Sequence, residues 1–419
     1  MNLSMNGKEI VEKVLAEAGR ILIGVVFIFS GFVKAVDPMG GAIKIDDYLK
    51  AFGLDFLHMF SVTLSMNLAA FEFMLGVCML FGVYRRYTSF LTLVFMLFMT
   101  PLTLYLALFN PVSDCGCFGD ALVLTNWETF LKNVVLLSAA IYTFVYNQKL
   151  YQLYTYKVYW FVALFSYLYM LLFANINYNH LPVIDFRPFK VGVNIPSQME
   201  IPEGAPQDEY EYQKEFTLDN YPSNDSSWVF VDSKTTLIKQ GYVPPISNFS
   251  VTTLDGVDVT DSLLSDSRAL YLLIAPDLKK ASDERIDEIN NVFDFTQEYD
   301  NLGFYCITGS TEDEINKWID YTGAEYSFLF ADEVVLKTII RSNPGLVLIK
   351  DGTILAKWHY NDIPDEQVLD ALTKSYLAGN KQNIKEEAEL LTNLLTFTVP
   401  LLFVCGYDWF RNKRKKKEK

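Results

Sequence analysis

The feature that most constrains this chain is a set of six apolar stretches, each about as long as a lipid-spanning helix. A bilayer's hydrocarbon core is ~30 Å thick and a helix rises ~1.5 Å per residue, so about 20 mainly apolar residues cross it. Five stretches lie in the first half, at about 19–36, 66–84, 89–109, 127–146 and 158–176, and the sixth at about 390–407. The first reads as a retained helix rather than a cleaved signal: no small-x-small site follows Phe32, and charged Lys34 and Asp37 come next.

Basic residues orient these helices. Lys8, Lys13 and Arg20 precede or open the first, Arg85 and Arg86 link the second and third, Lys149 and Lys157 link the fourth and fifth, and a Lys/Arg run ends the chain. Six helices with both termini cytoplasmic place all of these inside and leave 37–64, 110–126 and 177–389 outside. The expected location is a bacterial cytoplasmic (inner) membrane with residues 177–389 exported. The basic tail then reads as a stop-transfer and orientation anchor, with lipid-specific binding as the alternative.

Charge divides the same way. The net charge of −15 splits into 0 for residues 1–179, −21 for 180–410 and +6 for 411–419. A neutral apolar half, an acidic exported half and a basic tail exclude a single soluble globule and a nucleic-acid binder. Five cysteines in 419 residues also exclude a disulfide-dense secreted miniprotein.

The exported half begins with a Pro-, Asp-, Asn- and Tyr-rich segment of little periodicity, read over 180–244 as a linker with some strands. A regular pattern follows. A strand at 269–275 leads to a helix expected over 278–295, a strand at 304–308, and a helix capped by Ser310 or Thr311 with Glu314 behind it. A short strand at 328–330 precedes a helix at 333–341. Strands at 346–350 and 353–360 flank the hairpin signal Asp351-Gly352, and a last helix covers 364–377. Such an order predicts an α/β domain with a mixed sheet.

This part resembles the thioredoxin-like fold, in its exported peroxiredoxin and TlpA-like branch, over 245–378. The resemblance rests on Pro245-Ile246-Ser247-Asn248-Phe249 and on Asn343-Pro344-Gly345, where that fold keeps a cis-proline. Redox-active members carry Cys-x-x-Cys at the start of the first long helix; here the turn reads Ala275-Pro276-Asp277-Leu278-Lys279-Lys280-Ala281-Ser282. Without a sulfur it cannot form a mixed disulfide. Cys306 lies in a strand and reads as a buried, inert thiol. The domain is expected to bind or dock.

The dense constellation is Ser113-Asp114-Cys115-Gly116-Cys117-Phe118-Gly119-Asp120, in the outer loop between the third and fourth membrane helices. An extended Cys-x-Cys barely meets the Cα spacing a disulfide wants, and Gly116 lets the backbone bend to close the ring. A strained ring is easily reduced, which suits exchange; a structural turn clasp is the bland alternative. Zinc wants four ligands, and the three histidines, His58, His180 and His359, are scattered, so no metal site is expected. Adjacent Asp114 would blunt nucleophilicity, so a nearby cation is needed, with Lys34 and Lys44 as candidates. Glu72, about seven residues into the second membrane helix, is an ionisable group at a costly depth. It reads as a protonated or paired group, a proton relay for a carrier such as a quinone, or a helix-packing hydrogen bond. Cys78, deeper on that helix, and Cys405, at the inner end of the last, are not expected to resolve the pair.

Four linked motifs together resemble the DoxX/MauE family of redox-associated membrane proteins, over about 15–150. They are Gly31-Phe32-Val33-Lys34 with Asp37-Pro38; the amphipathic loop ending Tyr48-Leu49-Lys50-Ala51-Phe52-Gly53-Leu54; Glu72 with Leu75-Gly76; and Cys115-Gly116-Cys117-Phe118-Gly119. The resemblance implies a four-helix bundle and a role in disulfide formation or electron transfer in the cell envelope. Methylamine-utilisation members act beside a thioredoxin-like partner. It implies Cys115 and Cys117 as the redox pair and Glu72 as a bundle carboxylate; from the residues themselves Glu72 is also the candidate proton or quinone site, with Lys34, Asp37 and Asp114 as accessory candidates.

The expected organisation is a four-helix bundle (1–150), a fifth membrane helix (151–179), an exported linker (180–244), a thioredoxin-like domain without Cys-x-x-Cys (245–378), and a last membrane helix with basic tail (388–419). The expected function is thiol–disulfide exchange or electron transfer through Cys115 and Cys117, with quinone as the candidate cofactor and an exported protein partner. The alternative is a non-enzymatic envelope scaffold whose thioredoxin-like domain binds a partner.

Overall fold

The structure, a computed structural model, describes residues 7–112, 115–207, 209–218, 228–239, 241–379 and 383–417. Its membrane half begins with α1 (Gly7–Val36), which crosses α3 (Ser61–Phe81) through small residues. A Cβ on Gly31 would lie 2.6 Å from the Ala69 carbonyl oxygen and the Phe73 nitrogen; one on Gly76 would lie 2.6 Å from the Ile28 nitrogen. Backbones therefore touch where a side chain would hold them apart, the usual way helices associate in lipid. Between them, Pro38–Ala51 forms a helix, α2, rather than the expected amphipathic loop. Asp37 caps it by accepting from the Gly40 amide at 2.8 Å, and Pro38 occupies the first turn, where its missing N–H costs nothing.

Helices α4 (Arg85–Phe109) and α5 (Asn126–Val145) pair through Asn133, whose amide donates to Thr103 Oγ1 at 3.1 Å. A Thr125/Glu128 capping box opens α5. Helix α6 (Tyr159–Asn179) packs on α3, and a long C-terminal helix, the last in the chain, runs Asn383–Lys417. It meets the bundle where the Tyr154 hydroxyl donates to the Leu401 carbonyl at 3.1 Å, and where Asp408 accepts from the Thr155 amide at 2.7 Å and hydroxyl at 2.6 Å.

Among the described residues, six helices are long and apolar enough to cross a membrane. Residues such as Phe98, Leu131 and Phe403 stand exposed on their outer faces, where lipid covers them. Helix one starts at Gly7 and not near 19, because nothing in its polar first turns breaks a helix. The second span opens at Asp55 with a 3₁₀ turn to Phe60 and continues as α3 from Ser61, which places Glu72 eleven residues into α3 rather than about seven from its outer end.

Chain order then continues with α7 (Ile195–Met199), a two-stranded antiparallel sheet of β1 (Glu209–Leu218) and β2 (Trp228–Lys239), and α8 (Thr260–Leu264). The domain's sheet has β3 (Ala269–Ala275), β4 (Leu302–Thr308), β5 (Ser327–Phe330), β6 (Gly345–Lys350) and β7 (Thr353–His359) in the order β5-β4-β3-β6-β7. Strands β3, β4 and β5 run parallel, while β6 and β7 are antiparallel. Helices α9 (Ile286–Gln297), α10 (Glu312–Thr322) and α12 (Glu366–Leu377) cover one face, and α11 (Glu333–Ile339) with α7 and α8 the other. This mixed sheet, covered on both faces, is a thioredoxin-like fold. Every residue of β3 is buried, as a central strand requires. Asp351 (φ 48°) and Gly352 (φ 68°) make the expected hairpin turn, and the Asn343-Pro344 bond is cis.

Two expectations change. The helix expected from 278 begins only at Ile286, after a 3₁₀ turn at Leu278–Lys280. The Ser282 amide donates instead to the Asn343 carbonyl at 2.9 Å, so that donor is spent outside any helix. The start of the expected linker is also part of the domain: Phe189 and Ile195 enter its core, and the Ile195 amide donates to the Gly352 carbonyl at 2.8 Å. Short backbone bridges of this kind carry no periodicity to read in sequence.

Candidate functional site

Burying an ion in an apolar bundle costs heavily unless it is paired and hydrogen-bonded. Ser30 and Lys34 lie four residues apart on one face of α1, and the glycine crossing brings Glu72 of α3 against that face. Lys34 Nζ donates to both Glu72 oxygens at 2.7 Å and to Ser30 Oγ at 3.1 Å. Glu72 is 3% and Lys34 11% exposed, so this is a nearly dry ion pair. The Ser30 hydroxyl lies 2.7 Å from Glu72 Oε2 and 2.8 Å from the Cys117 carbonyl oxygen, and its single proton serves one of them at a time. The cysteine loop therefore dips to the ion pair. Residues treated separately in the sequence form one cluster.

The loop itself folds around two glycines with positive φ, Gly116 (65°) and Gly119 (50°). The stem of Lys44 covers Gly116: a Cβ there would come 3.0 Å from Lys44 Cγ. The Tyr48 hydroxyl donates to the Cys115 carbonyl at 2.9 Å. Phe118 packs on Phe29 with ring centroids 5.3 Å apart, and Lys132 Nζ of α5 lies 4.1 Å over its ring. These contacts hold the two sulfurs 2.8 Å apart, Cys115 buried and Cys117 partly exposed.

The two thiols are made unequal. A hydrogen bond from Cys115, joined by the charges of Lys132 and Lys34, holds the Cys117 thiol well below the ordinary range despite burial and the nearby Glu72. The same hydrogen bond, burial and the Cys117 charge push Cys115 up. A cavity of about 10 Å³ adjoins the pair, room for about one water. A much larger one, about 960 Å³, lies elsewhere, lined by Phe173, Asn177, His180, Lys357 and Trp358; neither thiol nor Glu72 lines it.

Of the accessory candidates, Lys34 sits in the cluster. Asp37 contacts Arg341 of the thioredoxin-like domain at 2.9 Å instead. Burial pushes the Asp37 carboxyl up, but Arg341 and Arg187 outweigh it and hold it low. Asp114 lies outside the described residues. Cys306 is fully buried, with its thiol pushed up by burial. Among the described residues no group of three metal-ligating side chains converges. Sequence reasoning missed Ser30, Lys132 and Arg341. Ser30 was signalled by its helical spacing from Lys34, and Lys132 by being a lone cation inside an apolar span.

Residues 12–146, which contain the whole cluster, match the family described as Methylamine utilisation protein MauE. The bundle is MauE-like over these residues. Residues 211–240, within the β1–β2 sheet region, match a family described only as a domain of unknown function, DUF8463. No curated protein matches the chain. Two solved structures resemble its thioredoxin-like part. One is described as "C-terminal domain of putative thiol-disulfide oxidoreductase" from Bacteroides thetaiotaomicron: 16% identity, covering 33% of this chain and 95% of that one, TM-score 0.26. The other is a secreted disulfide oxidoreductase of Mycobacterium tuberculosis: 14% identity, 31% and 96% coverage, TM-score 0.24. The chain thus joins a MauE-like membrane domain to a domain whose own mixed sheet is thioredoxin-like.

Proposed function

We propose that the MauE-like domain exchanges thiols and disulfides through Cys115 and Cys117 on the exported face of an inner membrane. The observation that carries this is the opposed sulfur pair with unequal acidity, seated on a buried Lys34–Glu72 pair. Cys117, more exposed and more acidic, meets the client; Cys115 resolves. With the pair oxidised, a client thiolate attacks Cys117 Sγ, forming a mixed disulfide and releasing Cys115, which takes up a proton. The second client thiol loses its proton and attacks the client sulfur of that bond, releasing Cys117. The client gains a disulfide; the pair gains two electrons and one proton, with Cys117 released as its thiolate and the second client proton passing to solvent. A two-electron acceptor of the membrane quinone class would restore the pair. Both Glu72 oxygens are engaged by Lys34 and Ser30, so that carboxylate serves the cysteine loop, and a quinone contact would require one of these bonds to be given up.

Trapping thiols in intact membranes with an alkylating reagent, before and after reductant, tests the proposal. Both redox states should be captured, and Cys115→Ser or Cys117→Ser should block oxidation of envelope client proteins. If the pair stays in one state and neither variant alters any client, the redox reading fails. The absence of cysteine from 275–282 favours a second reading, an assembly factor with a clasped loop. That reading requires a stoichiometric membrane partner that co-purifies equally with Cys115→Ser.

A further inference from the structure

The thioredoxin-like domain is joined to the bundle at Asn179, and contacts near that joint, such as the Asn361 amide donating to the Asn179 carbonyl at 2.8 Å, need no other explanation. A second set of contacts lies far from it in sequence. Arg341, only 9% exposed, meets Asp37 Oδ2 at 2.9 Å and Asp120 Oδ2 at 3.3 Å. Asp37 closes α1; Asp120 belongs to the cysteine loop, three residues past Cys117. Arg341 also donates to the Lys337 carbonyl at 2.7 Å, which fixes its direction.

The domain surface involved is specific. Arg341 directly precedes the Ser342-Asn343-Pro344 turn. The Asn343 amide donates to the Asp277 carbonyl at 2.8 Å, joining that turn to 275–282, where the fold places its redox cysteines. Lys280, in that second turn, is paired within its own domain, with Nζ 2.9 Å from Asp277 Oδ2. So a cation from the face where such a fold does its chemistry meets two carboxylates, Asp37 and Asp120, beside the cysteine loop. The match is notable because residues 180–410 carry a net −21. Arg341 is a base of that acidic half, and it meets acid on the bundle.

We propose that the cysteine-less domain is an intramolecular occupant of the client-docking surface of the MauE-like domain, held there by an Arg341–Asp37–Asp120 clasp. A folded client reaches Cys117 only when the clasp opens. Lacking sulfur at 275–282, the domain occupies this surface without being oxidised or reduced, and so acts as a removable cover. This rests on the redox reading above for its consequence, since it regulates that same pair.

The test compares a small reagent, N-ethylmaleimide, with a polyethylene-glycol maleimide on the reduced full-length protein in membranes, reading Cys117 modification by peptide mass spectrometry. Asp37→Asn with Arg341→Leu removes the clasp while leaving no buried charge unpaired. Labelling by the large reagent should rise about tenfold or more, the population shift expected from losing charge-assisted hydrogen bonds, while N-ethylmaleimide labelling stays within about twofold. An unchanged large-reagent rate overturns the clasp. So does an equal rise for both reagents, which would mean a disordered loop rather than a lifted cover. Asp120→Asn, on a side chain 43% exposed, provides the second reading: it should raise large-reagent labelling in the same direction, and no rise overturns the proposal. Labelling needs no turnover, so inert Cys115→Ser behaviour toward clients would sink the redox reading and leave this size selectivity standing.

Discussion

The Lys34–Glu72 pair makes a prediction with a sign. Lys34 Nζ lies 3.1 Å from Ser30 Oγ, which lies 2.8 Å from the Cys117 carbonyl, so the ammonium is within about 6 Å of the Cys117 backbone. While Glu72 neutralises it at 2.7 Å, the pair acts on the thiol as a weak dipole. Lys34→Met leaves a bare carboxylate there; Glu72→Gln leaves a bare ammonium. At ~8 Å from the sulfur and an effective dielectric of ~20, one unit charge contributes ~2 kcal/mol, about thirtyfold in the thiolate-to-thiol ratio. Iodoacetamide labelling of Cys117 against pH should therefore move to higher pH in Lys34→Met and to lower pH in Glu72→Gln. Each single variant should also lose about 3–5 kcal/mol of stability in detergent, because its partner is stranded, whereas Lys34→Met with Glu72→Leu should be nearly neutral. Opposite shifts from two similarly destabilised proteins cannot come from general loosening. If both variants move the profile the same way, or neither moves it, the ion pair does not control the thiol and the reasoning is wrong.

Two further outcomes follow from the packing. Gly31→Val should separate α1 from α3, since even a Cβ would sit 2.6 Å from the Ala69 oxygen and the Phe73 nitrogen; a loss of at least ~1–3 kcal/mol, with Cys117 labelling shifted as the cluster opens, is checked by thermal unfolding and the same pH profile. In the thioredoxin-like domain, burial holds His359 down at about 4, below its unfolded value near 6.5. The unfolded chain binds the proton first, so stability present above about pH 6.5 is lost as pH falls toward 4; His359→Gln should flatten that decline in a denaturant titration, and an unaltered slope would exclude the histidine as its source.

Much of the architecture was legible because its causes are local. Apolar length marks the spans, Asp351-Gly352 marks the hairpin, and the Thr125 and Thr311 capping boxes mark two helix starts. The exceptions are positions where a distant partner takes a backbone group. The Ser282 amide goes to Asn343, so the helix waits until Ile286; Phe189 and Ile195 join a core formed about 50 and more residues later.

The amino-acid sequence by itself determined that the chain spans a membrane, that its acid is segregated to one half, that two cysteines flank Gly116, and that the thioredoxin-like turn at 275–282 carries no sulfur. These are properties of composition and spacing along the chain. Only the tertiary structure decided that Ser30, Lys34 and Glu72 sit beneath the thiols, and that Asp37, a neighbour of that cluster in sequence, instead reaches Arg341 304 residues away. The reason is geometric: glycine-lined helices approach to backbone contact and set which faces meet. A hydrogen bond or ion pair acts over about 3 Å, a distance that spacing along the chain does not report.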